Sequence, residues 1–230
     1  MADVTSRVVD VVVAVVVLTI TWPVLLVTAI AVRATMGAPV LFRQERAGRH
    51  GHPFELVKYR TMRVPGPGQE GPDTDGDRLT PLGRALRATS LDELPTMVNV
   101  LRGDMSLVGP RPLPLRYLPR YSAHHARRHD VRPGVTGWAQ AHGRNALAWD
   151  DQLDLDVWYV EHRSLGLDLR VLAATVRSVA RGEGTSHDGH AIRPEFPGSG
   201  RRATRPPVTA SGDGRDRQRA LASGRPSASR

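Results

Sequence analysis

The chain has no cysteine, so disulfides, thiolate metal sites and cysteine nucleophiles are excluded and a reducing cytoplasm is permitted. It has one lysine, Lys58, among 32 basic residues. Between Val11 and Val32 it has no charge at all. From Glu183 onward the shortage is of apolar residues: glycine, proline, serine and arginine dominate, and no core can form from such a composition.

What is present begins with length and charge. The 230 residues suffice for one catalytic unit with appendages. The formal charge of +9 points to an anionic partner, but residues 193 to 230 hold nine arginines against Glu195, Asp213 and Asp216 and so carry +6 of it. The body is only mildly basic, which weakens a nucleic-acid reading.

The uncharged run from Val11 to Val32 spans about 33 Å as a helix, roughly the hydrocarbon thickness of a bilayer. A full span, a re-entrant helix and a cleaved signal peptide compete for it. The run is too long for a signal-peptide core, and Asp3 and Asp10 dilute a basic start. Pro23 frees the carbonyl of Thr19 and predicts a kink, which Thr19 and Thr21 hydroxyls can make tolerable in lipid. Arg33, Arg43, Arg46 and Arg49 follow, a cluster that the positive-inside rule assigns to the cytoplasm.

Residues 40 to 62 read as a β-hairpin whose Gly48 and Gly51 serve turn geometry. Lys58 is either a phosphate contact or a solvated surface charge. Residues 65 to 78 are read as an irregular loop; its alternating Asp73, Asp75 and Asp77 lack the rest of a calcium-loop pattern. Leu79 to Ala88 is predicted helical after the Thr80-Pro81 start, with Arg84 and Arg87 on one side.

The stretch from Thr89 to Pro112 organises the rest. It sets two adjacent carboxylates, Asp92 and Glu93, beside a short helix that stops at Gly103, then holds Arg111 between Pro110 and Pro112. One reading makes Ser90 and Glu93 a capping box, with Pro95 in the first helical turn. The other makes carboxylates, helix and stiffened cation the parts of a site for chemistry on phosphate.

Leu91-Asp92-Glu93-Leu94-Pro95 followed by Gly103-Asp104-Met105-Ser106-Leu107-Val108-Gly109-Pro110-Arg111-Pro112 closely resembles the bacterial sugar transferases, the monotopic polyprenyl-phosphate phosphoglycosyl transferases. The resemblance takes in Gln44, Arg46, Gly48, Gly51 and Phe54, the run Lys58 to Met62, Arg132 to Gln140 with Gly143-Arg144-Asn145, and Tyr159 to Leu169, covering roughly residues 5 to 182. It implies transfer of sugar-1-phosphate from a UDP-sugar to a polyprenyl (undecaprenyl) phosphate, with release of UMP, early in polysaccharide or glycoconjugate synthesis. By resemblance Asp92 is the nucleophile of a covalent intermediate, and Glu93 joins it at a Mg2+ site. Lys58, Arg87 and Arg111 are phosphate-binding, Gln140 and Arg144 nucleotide-binding, and Pro23 the membrane kink. The family often has serine before that proline; here Trp22 precedes it, with Thr21 one step earlier.

Further on, His124, His125 and His129 are read as part of a solvated basic helix rather than a metal site, because Arg127 and Arg128 crowd them. Between Trp149 and Gly182 the pattern turns helical, with Leu169, Leu172, Ala173, Val176 and Val179 recurring at helical spacing after a cap at Asp168. Trp149, Trp158 and Tyr159 are open between core and headgroup contact.

The expected fold is α/β, a small helix-rich catalytic domain with a β-hairpin, anchored by a kinked N-terminal helix that is re-entrant or spanning. The expected divisions are 1–36 (membrane helix), 37–182 (cytosolic transferase domain at the membrane surface) and 183–230 (disordered Arg-rich tail). Expected partners are UDP-sugar, polyprenyl phosphate and membrane lipids, with no nucleic acid; oligomeric state stays open, a homo-oligomer included. The expected location is the bacterial inner membrane with the catalytic domain facing the cytoplasm. The competing class is a membrane-anchored basic protein that holds nucleic acid or anionic lipid through its tail without chemistry.

Overall fold

The computed structural model describes residues 2–66, 75–142, 147–181 and 195–199. Arg144, Asp73 and most of the Arg-rich tail lie outside these residues.

The architecture is helix-rich with two small sheets. The uncharged run lies inside a longer helix, α1 (Ala2–Met36), which continues through Pro23 and is about 52 Å long. Thr21 Oγ1 donates to Val17 O at 2.7 Å, the hydroxyl back-bonding expected near the proline. Ile20 is 72 % exposed and Trp22 60 %, so much apolar surface is left uncovered by protein. Its other face is docked. Ala14 is fully buried among Met97, Val100 and Leu107, and Val32 packs with Tyr59 and Leu86.

Polar bolts fix both ends of α1. Arg7 donates to Val100 O and Leu101 O, at 2.5 and 2.9 Å, supplying a cation to the last-turn carbonyls of α4 (Met97–Arg102). Asp10 is buried and accepts from Ser106 Oγ at 2.8 Å and Leu107 N at 2.9 Å. At the far end Arg60 caps α1, donating to the carbonyls of Met36, Gly37 and Ala38.

The hairpin pairs β1 (Leu41–Ala47) with β2 (Pro53–Tyr59) antiparallel, Phe42 opposite Lys58. His50 (φ +55°) and Gly51 (φ +76°) supply the left-handed residues of its turn. Part of the stretch read as irregular is ordered, since α2 (Asp75–Arg78) forms one turn and Met62 bridges Leu79. Helix α3 (Pro81–Ala88) starts as predicted, with Thr80 Oγ1 accepting from Gly83 N at 2.9 Å.

The capping box does not form. Ser90 adopts a left-handed conformation (φ +57°) with its side chain making no cap hydrogen bond, and Leu91–Thr96 is a 3-10 turn leading into α4. Glu93 N donates instead to the Ser90 carbonyl at 3.2 Å, the backbone bond of the tighter turn. Gly103, at φ +90°, ends α4 as expected. The extended run beyond it contributes β3 (Ser106–Val108), parallel to β4 (Gly134–Thr136). A Cβ on Gly134 would lie 2.1 Å from Gly109 N, so the crossing of the Gly109-Pro110 and Pro133-Gly134 segments requires glycine.

The basic segment is not solvated as expected. Helix α5 (Ala123–Ala126) gives way to a 3-10 turn, and His125, Arg128 and His129 are buried. Arg128 pairs with Asp156 at 2.7 Å, and carboxylates on α7 (Trp149–His162) make that burial tolerable. Short α6 (Trp138–Ala141) precedes α7, and α8 (Leu165–Ala180) follows it. The cap of α8 is Ser164, accepting from Leu167 N, while Asp168 accepts from Tyr159 Oη at 2.6 Å. Leu167 and Val171 face the core, whereas Leu169 and Val176 of the predicted stripe are exposed. Tyr159 is a core residue, and Trp158 stacks on Trp138. Phe196, from the stretch expected to contribute no core, is fully buried with Leu113, Tyr117 and Leu153.

Candidate active site

The two central carboxylates are placed by the 3-10 turn between α3 and α4. Thr96 Oγ1 donates to Val57 O at 3.0 Å, and Asn99 both accepts from Val57 N and donates to Glu55 O. These bonds fasten the turn against β2 and bring Asp92 to Lys58, with Lys58 Nζ 4.0 Å from Asp92 Oδ2. Lys58 is therefore not a solvated surface charge: one fifth of its side chain is exposed, and the ammonium sits 5.6 Å from the Phe42 ring centroid.

Asp92 is 4 % exposed. Burial pushes its carboxyl up to about 6, against the pull of Lys58 and with a further rise from Glu93. Burial likewise pushes Lys58 down, against the attraction of Asp92 and Glu93. A carboxylate held there is desolvated and so more reactive than a surface acid. Glu93 points to Arg111, whose two terminal nitrogens each lie 3.4 Å from Glu93 Oε1. Arg87 donates Nε to Thr61 Oγ1 at 3.0 Å and is close enough to act electrostatically on both Asp92 and Lys58.

The structure thus brings together Lys58, Arg87, Asp92, Glu93 and Arg111. Gln140 lies on α6 with a buried Oε1 that has no hydrogen-bond partner among the described residues, and it does not line the pocket beside Glu93. Arg111 is positioned from behind, its carbonyl accepting from Arg128 at 2.7 Å.

Sequence reasoning did not assign Arg46 to the site, although it counted it in a basic cluster and in the matched run. It lines the same pocket as Lys58, Glu93 and Arg111. Its pKa is lowered to about 10, first by burial and then by Arg111 and Arg116. Its Nε is buried with no hydrogen-bond partner among the described residues. Two guanidinium groups and the Lys58 ammonium gathered this way, Arg46 with a spare donor, make an anion-binding cradle. The signal was there in the matched run Gln44-x-Arg46-x-Gly48.

An enclosed carboxylate beside converging cations suits attack on a phosphorus whose leaving group carries charge away. The family model for bacterial sugar transferases matches residues 1–182. The chain is 48 % identical, over 85 % of its length and 96 % of the relative's, to the uncharacterised sugar transferase EpsL of Bacillus subtilis. It is 42 % identical to a UDP-glucose:undecaprenyl-phosphate glucose-1-phosphate transferase of Caulobacter vibrioides, covering 77 % of this chain and 70 % of that one. A UDP-N-acetylgalactosamine-undecaprenyl-phosphate N-acetylgalactosaminephosphotransferase of Aeromonas hydrophila is 36 % identical over 78 % of this chain, which spans 44 % of that longer protein.

Proposed function

The chain belongs to the bacterial sugar transferase family, and from that premise we propose that it moves sugar-1-phosphate from a UDP-sugar to a polyprenyl phosphate, releasing UMP. The observation that carries this reading is the buried Asp92 carboxylate, held between Lys58 and Arg87 beside the Glu93–Arg111 pair.

In the first half-reaction an Asp92 oxygen bonds to the sugar-bearing phosphorus of the UDP-sugar. The bond from that phosphorus to the bridging oxygen breaks, and UMP leaves with the electron pair. In the second, a phosphate oxygen of the polyprenyl phosphate attacks the same phosphorus and releases Asp92, leaving a polyprenyl diphospho-sugar. Lys58, Arg87, Arg111 and Arg46 hold the phosphate oxygens, whose charge rises at each displacement. Asp92 and Glu93 are hard oxygen donors, and a cation would offset the desolvation that raises Asp92, so the pair fits Mg2+. Bound there, Mg2+ would neutralise diphosphate charge. Arg144, by family resemblance, reaches the nucleotide.

The membrane half of the reading is that α1 enters and leaves the inner membrane by its cytoplasmic face. Supporting this, the same body bolts Arg7 near one end and caps Met36 at the other.

The test is a screen of UDP-sugars for UMP release with polyprenyl phosphate and Mg2+, glucose and N-acetylgalactosamine first because relatives are named for them. With substrate labelled at the sugar phosphate, the wild-type chain should trap label on Asp92 when the lipid acceptor is withheld, and Asp92→Asn should trap none. Undiminished turnover by Asp92→Asn would remove Asp92 from the nucleophile's role.

A further inference from the structure

A second convergence of ligand-type side chains lies where α5 meets α7. His124 Nε2 and His125 Nε2 each lie 3.1 Å from the same oxygen, Asp154 Oδ1, and the three ligand atoms all fall within 4.8 Å of one another. The ligand atoms of a tetrahedral ion with bonds of about 2.0–2.1 Å are about 3.3 Å apart, so the carboxylate oxygen needs to move only a few tenths of an ångström from each imidazole. His124 is exposed and free to close its side of the triangle.

Two further features favour an ion here over a plain ion pair. His125 is buried, and its other ring nitrogen, Nδ1, lies 2.6 Å from Ser199 Oγ. When an ion takes Nε2 the proton resides on Nδ1, and Ser199 Oγ is placed to accept it, the outer support that metal-binding histidines commonly have. The neighbouring cations that argue against a metal in the sequence are also neutralised in space. Arg127 is paired with Glu161 and Arg128 with Asp156, each at 2.7 Å. The site therefore presents two imidazoles and one carboxylate with no unpaired guanidinium from Arg127 or Arg128 beside them.

We propose that His124, His125 and Asp154 form a three-ligand site for a divalent transition-metal ion of the zinc class, with Ser199 orienting His125. Two imidazole ligands select such an ion over Mg2+, which prefers oxygen donors, so this site is chemically separate from the Asp92–Glu93 pair. Its role is structural. It pins Glu195–Ser199 onto α5 and α7, joining the Phe196 side chain in the core and the Glu195 contacts with Arg116 and Arg120.

The experiment uses the untagged full-length chain in detergent, stripped with a chelator and kept in excess Mg2+. Zn2+ is titrated against a chromophoric competitor, and Co2+ is followed by its visible absorption. One Zn2+ per chain is expected, with a rise in melting temperature. His124→Ala and Asp154→Asn alter exposed side chains and should each weaken binding more than a hundredfold, abolish the Co2+ bands and remove the thermal shift, while melting like the metal-free wild type. Ser199→Ala, which removes only the outer support, should weaken binding by about tenfold to a hundredfold. Absence of saturable Zn2+ binding, or binding that His124→Ala and Asp154→Asn leave intact, overturns the proposal.

Discussion

Asp92 carries a conflict that can be measured without any substrate. Its folded carboxyl sits at about 6 because burial disfavours the charge, while an unfolded aspartate titrates near its ordinary 3.8. Between those values the folded state binds more proton than the unfolded one, so stability falls as pH rises through the window and the full cost is present above about 6. Replacing the charge by an amide should remove that cost. Asp92→Asn should be more stable than wild type at about pH 7.5, by roughly 3 kcal/mol at most, and the gap should close as pH falls toward 4. Thermal unfolding of both proteins across pH checks this, and a variant less stable at all pH values would refute a burial origin for the shift. If Asp92 is the nucleophile as proposed, turnover should also show an acid limb near pH 6, since a protonated carboxyl is a poor nucleophile, and a pH–rate profile checks this.

At the scale of elements, the latch between α1 and β3 is the contact on which site geometry depends. Asp10 binds Ser106 and Leu107, and the chain from β3 runs directly on through Gly109 and Pro110 to Arg111. Asp10→Leu leaves a buried hydroxyl and a buried N–H unpaired, costing about 1–3 kcal/mol each, and lets β3 shift under Arg111. We expect a lower melting temperature together with a fall in UMP release, both largely restored by Asp10→Asn, which keeps an acceptor oxygen. Loss of stability with unchanged turnover would show that β3 does not transmit the latch to the site. Nothing in the sequence around Asp10 announces this role, because its partners are nearly a hundred residues away. The Thr80 cap, the stop at Gly103 and the hairpin depend on residues close in sequence and were legible there, whereas the cap expected at Asp168 is supplied by Ser164. The Asp92–Glu93–Arg111 grouping was legible from its motif, while the singularity of Lys58 left a phosphate contact and a surface charge equally open and only the resemblance favoured the site. The left-handed Ser90, the burial of Arg128 and His129, and Arg46 as a pocket residue were not, because each is decided by what packs against it from elsewhere.

At the scale of the whole molecule, the re-entrant topology proposed above rests on a mismatch between length and attachment. A straight span of about 52 Å would carry its two ends to opposite sides of a bilayer whose hydrocarbon core is about 30 Å. Yet Arg7 and Asp10 near one end and Met36 at the other are held by the same body. On the proposed re-entrant reading both ends lie on that body's side of the bilayer, and exposed Ile20 and Trp22 midway along the helix are the surface offered to lipid. The natural absence of cysteine makes this directly testable with single introduced thiols at Val4, Ile20 and Thr35, all exposed in the protein. In inside-out vesicles a membrane-impermeant maleimide should label Val4→Cys and Thr35→Cys and spare Ile20→Cys. In intact spheroplasts it should label none of them until detergent is added. Labelling of Val4→Cys from one side and Thr35→Cys from the other would establish a spanning helix, and the contacts at one of its ends would then have to break in the membrane.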